Sequence, residues 1–213
     1  KTGSPMFEVL NFYNNKIEQS KIIEKLKIKS KDFFLVSFHR EENVDSEKNF
    51  KKLINSLNVI CERYNKPIIV STHPRTRMKL ASYKGNLNSL IRFLKPLSFS
   101  DYNNLQINAM TVLSDSGTIS EESSISNFPA INLRETHERP EAMEEASVIL
   151  SGLNANRIIN AIEILKNQKY GNDSRTLDLV EDYSKKNVSE KILRILISYT
   201  DYVKRVVWKE TIN

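Results

Sequence analysis

The sequence contains little cysteine and no long apolar run. Its 213 residues include one cysteine, Cys61, so a disulfide framework and a cysteine-based metal site are excluded. Cys61 lies in an apolar stripe of helical spacing, which is typical of a core thiol. No apolar run reaches the roughly 18 residues that a membrane-spanning helix requires, and no signal peptide opens the chain. These absences predict a protein of the reducing cytoplasm with no membrane partner.

Glycine is also scarce, and this excludes two common kinds of nucleotide site. The five glycines are Gly3, Gly85, Gly117, Gly152 and Gly171. Their positions allow neither a GxGxxG turn nor a Walker A loop, so the usual dinucleotide and P-loop sites are absent. A bound phosphate would have to be held by a serine-rich turn and by basic side chains.

The chain is modestly basic, with 32 Lys and Arg against 26 Asp and Glu, a net charge of +6 and a pI near 9.2. The lysines are spread along helix-like segments with acids between them, which argues against nucleic acid as a partner. A positive excess of this size also attracts a doubly charged nucleotide diphosphate. The hydrophobic content of 39% is enough for a substantial core at this length.

Short strand-like segments alternate with helical patterns along the chain. The strand candidates are residues 33–38, 68–72, 90–94, 111–114, 130–133 and 147–150. This alternation predicts an α/β fold with a parallel sheet and helices on both faces.

Three helical stripes stand out. Apolar residues repeat at helical spacing over 50–64, which predicts a crossover helix between the first two strands, and again over 158–165 after Asn154. Residues 187–210 predict a terminal helix of about six turns with more apolar surface than a lone helix needs. Such a helix either wraps the sheet domain or bridges to an N-terminal half outside this chain.

The most informative stretch joins the strand candidate 111–114 to a small polar turn and two acids. Thr118 and Glu121 have capping-box spacing, which predicts a helix that begins near Thr118. A helix start offers free N–H groups to a phosphate, whereas first-turn carboxylates compete with an anion. We therefore expect Ser116 and the turn amides to bind phosphate and Glu122 to face hydroxyls such as a ribose diol. The alternative is an ordinary capped helix.

Two histidines follow predicted strands: His39 after residues 33–38 and His73 after residues 68–72. The carboxyl ends of parallel strands border the ligand crevice of an open sheet, so both histidines and the turn at 114–117 are expected to face one crevice. The dense polar cluster directly after His39 favours a functional role for this histidine. His73 could equally be an ordinary surface residue.

Arg139 and Tyr102 are further candidates. Arg139 offers a planar fork of donors to a diphosphate, and the alternative is a loop salt bridge with Glu138 or Glu141. Tyr102 lies near the start of a predicted helix, where its ring could stack on a base or belong to the core.

Two chemistries are not expected. The three histidines, His39, His73 and His137, lack ligand spacing, so we predict no metal and no cofactor. Ser116 lacks the GxSxG elbow that exposes a hydrolase nucleophile.

Taken together, three segments resemble the non-hydrolysing UDP-N-acetylglucosamine 2-epimerase family: FHREEN at 38–43, DSG with the two glutamates at 115–122, and ERPE at 138–141. The order and spacing match over nearly the whole chain. The resemblance implies a Rossmann-like domain forming the C-terminal half of a GT-B arrangement. Its active site would lie in the cleft toward an N-terminal domain.

This resemblance implies a division of the chain into three parts. Residues 1–30 are expected to form a linker and a first helical region, residues 31–180 the UDP-binding domain, and residues 181–213 a C-terminal helix directed toward the N-terminal domain. Lys1 is not Met and residues 1–5 are typical of a linker, so we expect the chain to belong to a longer protein.

The resemblance also implies roles for individual residues. His39 becomes a catalytic residue near the diphosphate, Glu122 the ribose ligand, and Tyr102 the aromatic neighbour of uracil. The implied substrate-binding residues are Arg40, Glu42, Tyr102, Ser116, Gly117, Thr118, Glu122 and Arg139. The family's acid/base carboxylates lie in the N-terminal domain, and its full-length members suggest homodimers. The implied partner is a UDP-sugar.

Two positions depart from the family's common pattern. Thr118 replaces a second glycine, and Leu97 replaces a polar glutamine near the base. The resulting pattern is more similar to the branch acting on UDP-2-acetamido-2,6-dideoxy-L-talose in capsule and O-antigen synthesis. The alternatives are the nucleotide-binding half of a GT-B glycosyltransferase and a non-catalytic UDP-sugar-binding module.

Overall fold

The computed structural model describes residues 1–171 and 174–210. Six strands form its sheet: β1 (Phe34–Phe38), β2 (Ile68–Thr72), β3 (Ile91–Leu94), β4 (Thr111–Ser114), β5 (Ala130–Asn132) and β6 (Ile149–Leu150). Ten α-helices accompany them in the described residues: α1 (Met6–Glu18), α2 (Ile22–Leu26), α3 (Glu41–Val44), α4 (Glu47–Tyr64), α5 (Pro74–Ser82), α6 (Phe99–Asn108), α7 (Ile119–Ser126), α8 (Pro140–Glu144), α9 (Ala155–Leu165) and α10 (Val188–Val206).

The strands pair in the order β3-β2-β1-β4-β5-β6, and every pairing is parallel. This is the strand order of the doubly wound Rossmann fold. The predicted α/β class, with a Rossmann-like parallel sheet, is therefore confirmed.

Successive residues from Phe33 to the end of the central strand β1 alternate between two cores. Phe34, Val36 and Phe38 pack with α4 and α9, whereas Phe33 and Leu35 pack with α6 and α7. Alternate side chains of a strand point to opposite faces, so an almost continuous apolar strand marks a sheet covered on both sides. Helices on both faces follow from this pattern.

The predicted elements need small corrections at their ends. The strands at 33–38 and 90–94 begin one residue later, and the strand at 130–133 ends one residue earlier. The last strand covers only Ile149–Leu150, because the Ser147 amide donates to the Ala142 carbonyl of α8 and not to the sheet. The stripe at 50–64 belongs to α4, and Cys61 is buried on it as predicted.

The terminal helix is shorter than predicted and largely uncovered. It spans Val188–Val206 in place of 187–210. Asn187 before its start and Lys209 after its end both take a left-handed backbone conformation, each with φ of +57°. Val188 is its one buried residue in the described chain, while Leu193, Leu196 and Ile197 are 57–74% exposed. Residues 211–213 of the predicted C-terminal segment lie outside the described residues. In the described part, no helix has both the length and the apolarity to cross a bilayer.

Candidate functional site

The strand order places a crevice between β1 and β4. β1 is followed by a crossover to β2 on one side and β4 by a crossover to β5 on the other, which makes this the topological switch point of the sheet. Residues 39–43 follow β1 and residues 115–118 follow β4 at the same edge. Two of the three segments singled out in the sequence therefore meet here.

Asp115 joins these two segments. Its side chain is fully buried, and its carboxylate accepts hydrogen bonds from the His39 amide at 3.1 Å and the Arg40 amide at 3.0 Å. The Asn43 side-chain amide donates to the same carboxylate at 3.1 Å. The sequence identified Asp115 only as a turn residue, because its partners lie more than 70 residues away. A buried carboxylate with several N–H partners fixes the backbone that carries His39.

His39 and His73 come together as the sequence predicted. Their ring centroids are 5.7 Å apart, and the His39 Nδ1 atom lies 3.4 Å from an Asp115 oxygen. His73 also caps α5, since its Nδ1 accepts a hydrogen bond from the Arg75 amide at 3.3 Å. His39 remains partly exposed, whereas the Asp115 carboxylate beside it is fully buried.

The turn at 116–118 lies beneath a pair of charged side chains. A Cβ atom built on Gly117 would be 3.6 Å from both Arg40 Nη2 and Glu138 Oε2, so these groups lie directly over the glycine. The Ser116 hydroxyl accepts a hydrogen bond from the Thr118 amide at 3.3 Å. The site thus presents a guanidinium, a hydroxyl and the start of α7 to the same space, which suits an anionic ligand.

The predicted capping box between Thr118 and Glu121 is wrong. Thr118 does precede α7, but its backbone is helical (φ −77°, ψ −11°) and its hydroxyl caps no amide. A side-chain cap requires an extended backbone at that residue. The Thr118 hydroxyl instead donates to Glu122 Oε1 at 2.9 Å.

The two first-turn glutamates of α7 each contact side chains of neighbouring segments. Glu121 pairs with Arg139 at 3.2 Å, and burial raises the pKa of Glu121 while Arg139 opposes this shift. Glu122 accepts from the Gln106 side-chain amide at 2.5 Å as well as from Thr118. Burial raises the pKa of Glu122, and these two hydrogen bonds act in the opposite direction.

Arg139 therefore forms a salt bridge, but not with either of the partners considered in the sequence. Its Nη2 contacts Glu121 on α7, whereas Glu138 and Glu141 have other partners. The buried Nε atom of Arg139 has no hydrogen-bond partner among the described residues. Together with Glu121, Arg139 lines a surface cleft of about 600 Å³ beside the N-terminal segment.

A four-residue ion network borders the crevice. Glu138 bridges Arg134 (2.8 Å) and Arg40 (3.2 Å), and Arg134 also contacts Glu42 at 3.3 Å. The hydrogen bond from Arg134 is the main cause that lowers the pKa of Glu138 to about 2. Arg134 was not among the residues predicted from the sequence, although an arginine two residues after the buried strand β5 was a usable signal. It is 4% exposed and fixes both Glu42 and Glu138.

Tyr102 contacts the core from α6. Its ring packs with the cluster on the α6 face of the sheet, and its hydroxyl faces Ser37 and Ser114 near the ends of β1 and β4. Burial raises the pKa of Tyr102 far above its ordinary value, so the phenol stays neutral. The core alternative for this ring is thus observed, at a position that adjoins the crevice.

Metal ligation has no support among the residues described. Within 1–171 and 174–210, no group of three or more His, Cys, Asp or Glu side chains is arranged to hold a metal ion. The charged groups of the crevice are instead paired with one another.

The fold and the crevice define a doubly wound α/β protein of the Rossmann class, with polar and cationic side chains gathered at the switch point. A family model described as UDP-N-acetylglucosamine 2-epimerase matches residues 1–197. The chain therefore belongs to the UDP-N-acetylglucosamine 2-epimerase family, as the resemblance predicted.

Individual relatives agree with this assignment. A UDP-N-acetylglucosamine 2-epimerase from Methanococcus maripaludis is 37% identical over 158 residues, which cover 72% of this chain and 43% of the relative. The structure of UDP-N-acetylglucosamine 2-epimerase from Rickettsia bellii is 46% identical, with a TM-score of 0.86, over 99% of this chain and 56% of that chain.

A further similar structure contains ligands. The Methanocaldococcus jannaschii UDP-GlcNAc 2-epimerase in complex with UDP-GlcNAc and UDP is 31% identical, with a TM-score of 0.80, over 92% of this chain and 54% of that chain. The chain spans about half the length of the relatives that it matches.

Proposed function

We propose that this chain is the UDP-binding half of a UDP-N-acetylhexosamine 2-epimerase. The observation that supports this most directly is the Asp115 carboxylate, which holds His39 and Arg40 beside the Ser116–Gly117 turn at the switch point. Together with family membership, this arrangement provides cationic and N–H donors for a diphosphate. It also leaves Glu122 as an acceptor for the ribose hydroxyls.

The proposed reaction is elimination and re-addition of UDP. Removal of the C2 proton and cleavage of the bond from C1 to the diphosphate oxygen form a C1–C2 double bond. The proton then returns to the opposite face of C2, and UDP adds back at C1. Negative charge grows on the diphosphate during cleavage, so fixed donors around it lower the barrier. His39, Arg40 and Arg139 have this role, and the backbone of the turn at 116–118 assists it.

The proton chemistry belongs to residues outside this chain. The carboxylates of the described crevice are paired: Glu138 with Arg134 and Arg40, Glu121 with Arg139, and Asp115 with backbone amides. We therefore assign the acid/base carboxylates to an N-terminal domain. The exposed apolar side of α10 supports contact with that domain, because Leu196 and Ile197 are uncovered here.

The substrate pair is either UDP-GlcNAc and UDP-ManNAc or the 6-deoxy-L-talose and L-fucose pair. Thr118 in place of the family's second glycine favours the 6-deoxy branch. We further propose that the full-length protein acts in capsule or O-antigen synthesis, lies in the cytoplasm and forms a homodimer.

Calorimetric titration with UDP tests the binding role. We expect the chain to bind UDP, and we expect Glu122→Ala and Arg139→Ala to weaken binding about ten-fold or more, since each removes a charge-assisted contact. Glu190→Ala and Arg194→Ala on the exposed helix α10 are the matched controls. Failure of the unaltered chain to bind UDP would overturn the proposal, and unchanged affinity in both site variants would place the ligand elsewhere.

The full-length protein separates an epimerase from a glycosyltransferase. An epimerase interconverts its UDP-sugar without any acceptor, which proton exchange at C2 in deuterium oxide reports directly. A transferase leaves the sugar nucleotide unchanged until an acceptor is added.

A further inference from the structure

Glu122 is held from two sides by side chains of different elements. Gln106 on α6 donates to Oε2 at 2.5 Å, and Thr118 before α7 donates to Oε1 at 2.9 Å. Each donor engages a different oxygen, so the plane of the carboxylate is fixed. The remaining lone pairs of both oxygens stay available to a further pair of donors.

Gln106 has no obvious packing reason to be at its position. It is fully buried on α6, yet its Oε1 atom has no hydrogen-bond partner among the described residues. An apolar residue of similar volume would avoid the cost of a buried unpartnered oxygen. The amide is therefore best explained by the bond that it makes to Glu122.

The Thr118 hydroxyl links Glu122 to the proposed phosphate turn. It lies 3.0 Å from the Ser116 hydroxyl while its own proton is donated to Glu122. Since a hydroxyl has only one proton, Ser116 must be the donor to Thr118. The resulting chain runs from Ser116 through Thr118 to Glu122. A glycine at position 118 would break this chain.

We propose that Gln106 and Thr118 are positioning residues that fix Glu122 for recognition of a vicinal ribose diol. This inference rests on the proposed UDP-binding function and deepens it. Both residues act through the Glu122 carboxylate, whose two oxygens then accept from the 2′ and 3′ hydroxyls. The chain should therefore discriminate a ribonucleotide from its 2′-deoxy form.

The test compares UDP with 2′-deoxy-UDP by calorimetry. The unaltered chain should prefer UDP. Gln106→Leu and Thr118→Val each remove a donor at similar volume. Each should weaken UDP binding about ten-fold and reduce the ratio of the affinities for UDP and 2′-deoxy-UDP toward one. Thr118→Ser keeps the hydroxyl and should retain both affinity and preference within about two-fold.

A pH series separates positioning from a general structural effect. The titratable groups facing Glu122 are Glu121 on its own helix and Tyr102 on α6. Loss of a donor raises the pKa of Glu122 further, so UDP affinity should fall at a higher pH on acidification in Gln106→Leu and Thr118→Val than in the unaltered chain.

The outcomes distinguish this inference from the function on which it rests. If the unaltered chain does not bind UDP, the proposed function fails. If it binds UDP but both donor-less variants keep its affinity, its ribose preference and its pH profile, the positioning role is refuted. Thermal melts of the three variants verify that each is folded at the temperature of the titration.

Discussion

At the scale of single residues, Asp115 connects the segments that follow β1 and β4. It is buried, and its carboxylate satisfies two backbone amides and the Asn43 side chain. We expect Asp115→Asn to lower the free energy of unfolding by about 3 kcal/mol, because one acceptor oxygen becomes an N–H₂ donor facing other donors.

Urea denaturation of Asp115→Asn measures this loss. Asp201→Asn on the exposed helix α10 is the matched control and should stay within about 0.5 kcal/mol of the unaltered chain. Equal stabilities of the two variants would show that Asp115 does not organise the loop after β1.

Glu138 gives a prediction about pH. Its pKa is lowered from 4.5 to about 2, chiefly by the hydrogen bond from Arg134. A lowered pKa stabilises the folded state at pH values above 4.5, and this contribution is lost as the pH falls from about 4.5 toward 2. The difference in Tm between the unaltered chain and Glu138→Gln should therefore shrink across that range.

Thermal melts between pH 6 and pH 3 measure this difference. It should be modest even at pH 6, because the Glu138 side chain is half exposed and solvent screens its ion pairs. Glu190→Gln provides a control with the same charge change on α10. A constant difference between the unaltered chain and Glu138→Gln over the whole range would contradict the assignment.

At the scale of elements, α7 and α10 differ in how their residues are covered. α7 is short but buried on several sides, because Ile119 enters the core below the sheet edge while Glu121 and Glu122 contact side chains of other elements. α10 is long and amphipathic, yet its apolar residues contact little in the described chain. Packing against other elements therefore positions α7, whereas local helix propensity supports most of α10.

Substitutions on α10 test this contrast. The double variant Leu193→Glu with Ile197→Lys should keep the Tm of the chain or raise it slightly, because both residues are exposed and the new pair has favourable i,i+4 spacing. It should also reduce self-association in sedimentation experiments, since an exposed apolar patch is removed.

Val188 provides the opposite case on the same helix. It is fully buried, so Val188→Ala should cost about 1–3 kcal/mol in urea denaturation. A large loss of stability in the double variant, or none in Val188→Ala, would show that α10 packs differently from its position here.

At the scale of the whole molecule, the strand order determines which segments of the chain meet in the crevice. The sheet brings the ends of β1 and β4 together and so forms a crevice from segments that are remote in sequence. The same crevice contains paired carboxylates and fixed cations. Such a site suits an anionic ligand. Under the proposed function that ligand is the diphosphate leaving group, and the proton transfer at C2 is assigned to an N-terminal domain.

We therefore expect the 213-residue chain to bind UDP without interconverting a UDP-2-acetamido sugar. Proton NMR of UDP-GlcNAc in deuterium oxide measures both epimer formation and exchange at C2, and the full-length protein is the positive control. Turnover by the 213-residue chain would show that its own carboxylates supply the acid/base chemistry.

The sequence was most informative where a signal is local. Strand positions were right within about one residue for five of six strands, because apolar runs bounded by turn residues mark buried parallel strands. The failed cases depended on distant partners. Glu121 forms an ion pair with Arg139 and not the expected capping box. The amide of Ser147 donates to the Ala142 carbonyl of α8 and not to the sheet.

The candidate site shows the same division. The segments after β1 and β4, including His39 and Ser116, could be identified from their position after apolar runs. The roles of Asp115, Arg134 and Gln106 could not, since each depends on a partner on another element. No local spacing rule indicates such a partner.

By itself, the sequence determined the α/β class, the polar segments at strand ends and the family, because periodicity and short motifs are properties of neighbouring residues. Only the tertiary structure decided that β1 pairs with β4, that Asp115 holds the His39 loop, and that Gln106 and Thr118 fix Glu122. These contacts join residues up to 77 positions apart, as Phe34 and Thr111 are in the pairing of β1 with β4. Their geometry is set by the packing of two cores against one sheet, which no local pattern encodes.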